Sequence, residues 1–280
     1  MFITLNDGKK LEFKQEVTVA AIAERISESL KRNAVCGKVN GKLVDLSHVI
    51  NEDASVEIFT LKDKEGMNVF RHTCAHVLAQ AVKSIFPTCR LAIGPVIENG
   101  FYYDFDFTTP VTQADLAKIE QEMKKIIKSD LPIERFEISR KEAIKIFKGF
   151  KETYKLELAE DISDGEPISI YKQGAFVDLC KGPHLPSTGK IKAFKLTSIT
   201  GAYWRGNENN KMLTRIYGTA FPKKAELEDY LVALEEAKKR DHNKLGRELG
   251  LFMTEETIGQ GLPILMPKGA KIMQILNRFV

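Results

Sequence analysis

Cysteine is scarce in this sequence: four residues in 280, at positions 36, 74, 89 and 180. They show no disulfide-framework spacing, which argues against a small stapled secreted domain and predicts a reducing compartment. No apolar run approaches the roughly 20 residues of a membrane-spanning helix, so no membrane partner is expected. The first residues lack the charged-then-apolar order of a secretory signal, and a cytoplasmic chain is expected. Charge of one sign is not in excess either: 42 Lys and Arg stand against 38 Asp and Glu, a net +4. Such a mild basic bias is compatible with RNA contact and does not demonstrate it. A Gly-x-x-x-x-Gly-Lys-Ser/Thr phosphate loop is absent, and so are paired Cys-x-x-Cys knuckles, internal repeats and low-complexity segments. The length suffices for a sizeable core, in one large domain or two to three small ones.

What is present is a pair of spaced dyads, His72-x-x-x-His76 and Cys180-x-x-x-His184, which hold three of the five histidines. In a helix predicted from Met67 to Phe86 and stopped by Pro87, an i, i+4 spacing puts two imidazoles on one face. Phe70, Cys74, Val77, Leu78, Ala81 and Ile85 form the apolar stripe. His72 and His76 fall roughly opposite that stripe, so the core is expected elsewhere, with Ala75 and Ala79 leaving room beside the pair. Two ordinary surface histidines are the alternative. Cys180 and His184 lie among Gly182, Pro183 and Pro186, which predict a tight loop. Together the four side chains can satisfy a tetrahedral zinc ion; for Cys180 alone the other reading is a buried, inert thiol.

The first sixty residues read as a separate module. Strands are predicted at Phe2 to Leu5 and Lys10 to Phe13 around Asn6-Asp7-Gly8, with a helix from Val19 to Leu30. Short strands follow at Cys36 to Val39, Lys42 to Leu46 and Ser55 to Phe59, an order that suggests a ubiquitin-like β-grasp. The charged stretch Asp63 to Gly66 is the expected boundary. Beyond it an α+β domain is predicted: a hairpin at Asn99-Gly100, a helix near Gln113 to Lys128, a strand at Ile133 to Ile138, and a helix opened by a Ser139/Glu142 capping box. After Tyr154 short strands and turns are expected through Phe221. Pro222 then opens a charge-rich helix to about Lys244, and a last helix is expected to run from Ala270 to Val280.

Several ordered motifs carry a resemblance. His-Thr-Cys-Ala-His-Val-Leu at 72–78, Gly-Pro-Val-Ile-Glu-Asn-Gly-Phe-Tyr-Tyr-Asp-Phe at 94–105 and Val-Asp-Leu-Cys-Lys-Gly-Pro-His at 177–184 resemble the editing domain of bacterial threonyl-tRNA synthetases. The segments 194–205 and 216–221 extend the likeness in the same order, residues 1–61 resemble a TGS domain, and 241–252, 261–263 and 265–270 resemble the entry to a class II catalytic domain. The resemblance implies four parts: a TGS domain (1–61), an α+β editing domain of the threonyl/alanyl-tRNA synthetase second-additional-domain type (62–221), a connecting helix (222–244) and the start of a class II domain (245–280).

The same resemblance implies an activity and a site. Hydrolysis of mischarged seryl-tRNA(Thr) is expected, with catalytic roles for His72, His76, Asp178, Lys155, Cys180 and His184. His72 and His76 would hold the water and the ribose hydroxyl. Asp178 would orient that water or bind the substrate ammonium, and Lys155 would stabilise charge on the ester oxygen. Cys180 and His184 would shape the pocket. Tyr102, Tyr103 and Trp204 are candidates for stacking on the tRNA 3′ end, with core or hairpin packing as the other reading. For Lys155 and Asp178 the other reading is a surface ion pair.

No cofactor is expected to be required for hydrolysis, although the same four-ligand set in alanyl-tRNA editing proteins is associated with zinc. ATP, Mg and zinc are expected only for the full-length synthetase, whose motifs come later, as is a homodimer. This chain is therefore not expected to activate threonine. Three other classes remain: a free-standing alanyl-tRNA deacylase, a different zinc hydrolase, and a non-catalytic RNA-binding or regulatory module. The first has no need of residues 1–60 or of the tail after Asp241, and the second is disfavoured because Thr73 stands where His-Glu-x-x-His has its acid.

Overall fold

A computed structural model describes residues 1–163, 165–255, 259 and 262–279. They fall into two compact units, Met1–Lys224 and Ala225–Val280.

The first unit begins with β1 (Phe2–Leu5), β2 (Lys10–Glu12), β3 (Val17–Thr18), α1 (Val19–Ile26), α2 (Glu28–Asn33), β4 (Ala34–Val39), β5 (Lys42–Val44), β6 (Val49–Ile50) and β7 (Ala54–Thr60). Its sheet runs β2-β1-β7-β4-β5, with β1 and β7 parallel and the other neighbours antiparallel, which is the expected β-grasp. Alternation along the strands buries Ile3, Val44 and Val56 against Val19 and Ile22 of α1. The helix expected from Val19 to Leu30 is two helices. Ser27 is extended and its side chain accepts from Leu30 N, so it caps α2 where a continuous helix would need it inside.

Next come α3 (Lys64–Ile85), β8 (Arg90–Leu91), β9 (Val96–Ile97), β10 (Gly100–Asp106), α4 (Leu116–Lys128), β11 (Ile133–Ile138), α5 (Arg140–Gly149), α6 (Thr153–Glu160), β12 (Ile168–Gln173), β13 (Phe176–Leu179), β14 (Ala193–Tyr203) and β15 (Met212–Phe221). They make an α+β arrangement with one sheet in the order β14-β15-β10-β8 and a smaller one in the order β11-β12-β13. The Ser139 capping box forms with both its bonds. Helix α6 stands where strands were expected. Tyr154, Leu156 and Leu158 alternate with Lys155 and Glu157, a period-two pattern, yet the chain buries Tyr154, Lys155 and Ala159, which share a helical face.

Helix α3 positions the site. It lies against α4, β10, β15 and the β-grasp strands β4 and β7. Its first turn meets β7 so closely that a Cβ on Gly66 would fall 1.9 Å from the carbonyl oxygen of Thr60. The main apolar cluster surrounds α3 and takes Phe70 and Leu78 from it, Phe101 and Phe105 from β10, Met123 from α4 and Cys36 from β4. The expectation that His72 and His76 face away from packed structure fails here. α3 is enclosed on both sides, and Ala75, His76 and Ala79 are buried along with Phe70, Cys74, Val77, Leu78 and Ala81 of the apolar stripe.

The second unit comprises α7 (Lys224–Lys239), α8 (His242–Glu248), the antiparallel pair β16 (Phe252–Thr254) and β17 (Pro263–Leu265), and α9 (Pro267–Phe279). The long helix expected to reach Lys244 is broken, because the Asp241 side chain accepts from Lys244 N and caps α8. On α9, Ile272, Ile275, Leu276 and Phe279 are exposed. Gly261 and Val280 lie outside the described residues. No helix among the described residues is long and apolar enough to cross a membrane.

Candidate active site

The two dyads converge. Helix α3 supplies His72 and His76, while the loop after β13 supplies Cys180 and His184. One ligand atom from each of the four lies within 4.8 Å of the others. The His184 ring stacks on His72 at 4.5 Å between centroids and meets His76 edge-on at 4.1 Å. The loop reaches this position because Gly182 adopts φ +64° and passes against Tyr171 of β12; a Cβ there would lie 1.8 Å from the Tyr171 hydroxyl.

Hydrogen bonding orders the protons. His72 Nδ1 lies 3.2 Å from the carbonyl of Gly94, which only accepts. Nδ1 therefore carries the proton, and Nε2 keeps a lone pair. The Thr73 hydroxyl donates to Val69 O and accepts from Leu185 N, so the contact with His184 Nδ1 at 3.2 Å has the ring donating. His184 Nε2 is then an acceptor for the Cys180 thiol 3.1 Å away.

Burial fixes the same charge states. His76 and His184 are buried, and desolvation together with neighbouring imidazoles holds both well below the ordinary histidine value, Lys155 adding to the effect at His76. Burial also lowers His72, against the opposing bond to Gly94. Desolvation, then the Asp178 charge, pushes the Cys180 thiol far up. The Cys180–His184 pair is thus thiol and neutral imidazole, unlike the thiolate–imidazolium pair of a cysteine nucleophile.

Behind the imidazoles sits a buried ion pair. Lys155, from α6, places Nζ 2.5 Å from Asp178 Oδ1, and both side chains are almost fully buried. Asp178 also accepts from Tyr103 Oη at 2.7 Å and from Leu179 N at 2.8 Å, and His76 Nε2 stands 3.6 Å from Oδ2. The alternative of a surface pair is therefore excluded. With both oxygens engaged, Asp178 is a poor ligand for a substrate ammonium and a good anchor for Lys155.

The aromatic candidates separate. Tyr103 is fully buried, with its hydroxyl on Asp178, and offers no face to a base. Trp204 is 5% exposed, packs on Tyr154 and donates to Glu157, so it too is packing. Tyr102 stays half-buried, with the Arg215 guanidinium 3.8 Å from its ring centre and Tyr217 beside it. Thr73, Gly94, Tyr171 and Asp45, which hold the histidines in place, were not singled out from sequence as site residues. Thr73 lies within the first dyad, but only three-dimensional placement shows that it, Gly94, Tyr171 and Asp45 contact the histidines.

Comparison with known proteins finds two matching domain models and a set of longer relatives. Residues 1–60 match the TGS domain, and residues 168–217, which include Asp178, Cys180 and His184, match the threonyl and alanyl tRNA synthetase second additional domain. A threonine–tRNA ligase of Clostridium perfringens is 58% identical over 278 residues, 99% of this chain and 43% of the relative. Those of Clostridioides difficile and Caldanaerobacter subterraneus subsp. tengcongensis are 56% and 57% identical, each covered to 43%. The chain thus spans less than half the length of these relatives.

Proposed function

We propose that this chain, 55–58% identical to threonine–tRNA ligases over 99–100% of its own length, acts as part of such a ligase and hydrolyses the ester of mischarged seryl-tRNA(Thr). The observation that carries the reading is the hydrogen-bond order of the cluster: His72 is bonded through Nδ1 and keeps a lone pair on Nε2, while the Cys180 thiol donates to His184 and burial favours its protonated form. Such a site suits attack by water better than acyl transfer to the protein.

In this mechanism His72 Nε2 takes a proton from water as its oxygen adds to the ester carbonyl carbon. The Lys155 ammonium, held by Asp178, provides positive potential toward the developing oxyanion. Collapse expels the ribose oxygen, which receives the proton from His72, and serine leaves. His76 stands beside the ribose hydroxyl, while Cys180 and His184 form the wall that limits the size of the amino acid. Size limitation matters because losing one methyl is worth only about 1–3 kcal/mol in a binding pocket. A site too small for threonine rejects it by overlap.

Three imidazoles and a thiol also fit zinc. Bonds of about 2.0–2.3 Å require only small side-chain adjustments of donors already within 4.8 Å of one another. If bound, zinc would polarise a water. The steps above use the chain's own residues, and we propose that hydrolysis requires no metal.

The wider reading follows from the relatives. TGS (1–61), editing (62–221), connecting (222–244) and class II (245–280) segments would belong to a cytoplasmic, dimeric ligase whose ATP-dependent threonylation of tRNA(Thr) uses further residues. Of the three aromatic candidates Tyr102 alone keeps an exposed side that a base could use, on the face of β10 opposite Tyr103.

The test is a deacylation time course with the 280-residue chain on seryl-tRNA(Thr) and threonyl-tRNA(Thr), with and without chelator. Loss of serine alone, unchanged by chelator and abolished by His72→Ala, is the expected result. No hydrolysis by the folded chain, or unchanged turnover in His72→Ala, would overturn the assignment.

A further inference from the structure

Asp45 follows β5 in the β-grasp module, yet both its carboxylate oxygens bond outside that module. Oδ1 accepts the backbone N–H of His184 at 2.8 Å, across 139 positions of sequence, and Oδ2 accepts the Tyr171 hydroxyl at 2.7 Å. Arg135 of β11 stands 3.9 Å from Oδ2. The Tyr171 ring in turn packs against the His184 imidazole at 4.4 Å, and its hydroxyl occupies the space that a side chain on Gly182 would need. One carboxylate therefore fixes the backbone of His184 and the aromatic wall behind its ring together. Asp45 itself is 9% exposed, so its partners have little water to turn to if it is lost.

We propose that Asp45 is a positioning residue for hydrolysis: through His184 it sets the wall of the pocket, and it makes the N-terminal module a working part of the site. The inference rests on the proposed deacylation. His184 Nδ1 holds its bond to Thr73 only while the loop keeps this backbone position, and Nε2 is aimed at Cys180 by the same constraint. A loop freed to shift by about 1 Å loses on the order of a hundredfold in rate when the displaced groups shape the reacting geometry.

The experiment compares the full chain with Asp45→Ala and Asp45→Asn. It measures kcat and KM for seryl-tRNA(Thr) deacylation, and it follows the His184 ring proton by NMR, assigned with His184→Gln. Asp45→Ala is expected to lower kcat about tenfold or more, with KM within about twofold, and to move the His184 resonance. The isosteric amide keeps an acceptor for His184 N–H and can donate to the Tyr171 oxygen, so Asp45→Asn is expected to restore most of the rate. A kcat for Asp45→Ala within about twofold of the parent overturns the proposal, as does a loss of rate with an unmoved His184 resonance. Should Asp45→Ala not fold, Tyr171→Phe removes one of the two bonds and is read in the same way. If the parent chain hydrolyses nothing, the deacylase reading fails and the resonance alone decides whether Asp45 positions His184.

Discussion

Asp178 gathers a lysine ammonium, a tyrosine hydroxyl and its neighbour's N–H around one buried carboxylate. An exposed pair of this kind contributes under about 1 kcal/mol, whereas breaking a buried one costs about 3–5 kcal/mol because the remaining charge has no water. Lys155→Met is therefore expected to lower unfolding stability by about 3–5 kcal/mol, read from denaturant melts. Adding Asp178→Asn should return part of that loss, since it neutralises the stranded carboxylate. A cost under about 1 kcal/mol for Lys155→Met would mean that the pair behaves as a surface contact. Sequence suggested both residues and left their setting open, because two charged residues 23 positions apart carry no sign of their burial.

Elements with a local signature were legible. The Ser139/Glu142 box, the strand Ile133–Ile138 and the body of α3 formed as their patterns implied, since caps and periodicity act within a few residues. Helix α6 was not legible, because its alternating pattern describes a strand and tertiary burial chose another face. The loop after β13 lies between these cases. Its glycine and prolines announced a turn, but the reason for Gly182 is Tyr171, eleven residues earlier on a paired strand. Gly182→Ala is expected to destabilise the chain by more than about 1 kcal/mol, through both the positive φ and the overlap with the tyrosine. It should also slow deacylation by displacing His184. A variant with the parent's melting curve and rate would show that the loop accommodates a side chain freely.

For the molecule as a whole, the buried histidines set a pH limit. His76 and His184 have lowered values when folded, while the unfolded chain protonates near the ordinary value of about 6.5. Above that pH both states are neutral and the contribution is fully present. Below it the unfolded state binds protons that the folded state refuses, so stability falls with falling pH, by up to about 1.4 kcal/mol per unit for each histidine. Urea midpoints measured between about pH 7.5 and 5.5 should decline across the acidic half of that range, and His76→Gln should flatten the slope. A midpoint independent of pH would mean that these rings protonate in place.

Val35 and Cys36 of the small N-terminal sheet belong to the same apolar cluster as Phe70 and Leu78, and Leu43 and Phe59 pack against it. The junction at residues 60–66 is a seam without slack, because the helix begins where the last strand leaves no space for a methyl group. Two regions that match separate families by sequence are thus walls of one room. A consequence follows from that plan: a substitution that loosens the first wall is expected to be felt at the histidines.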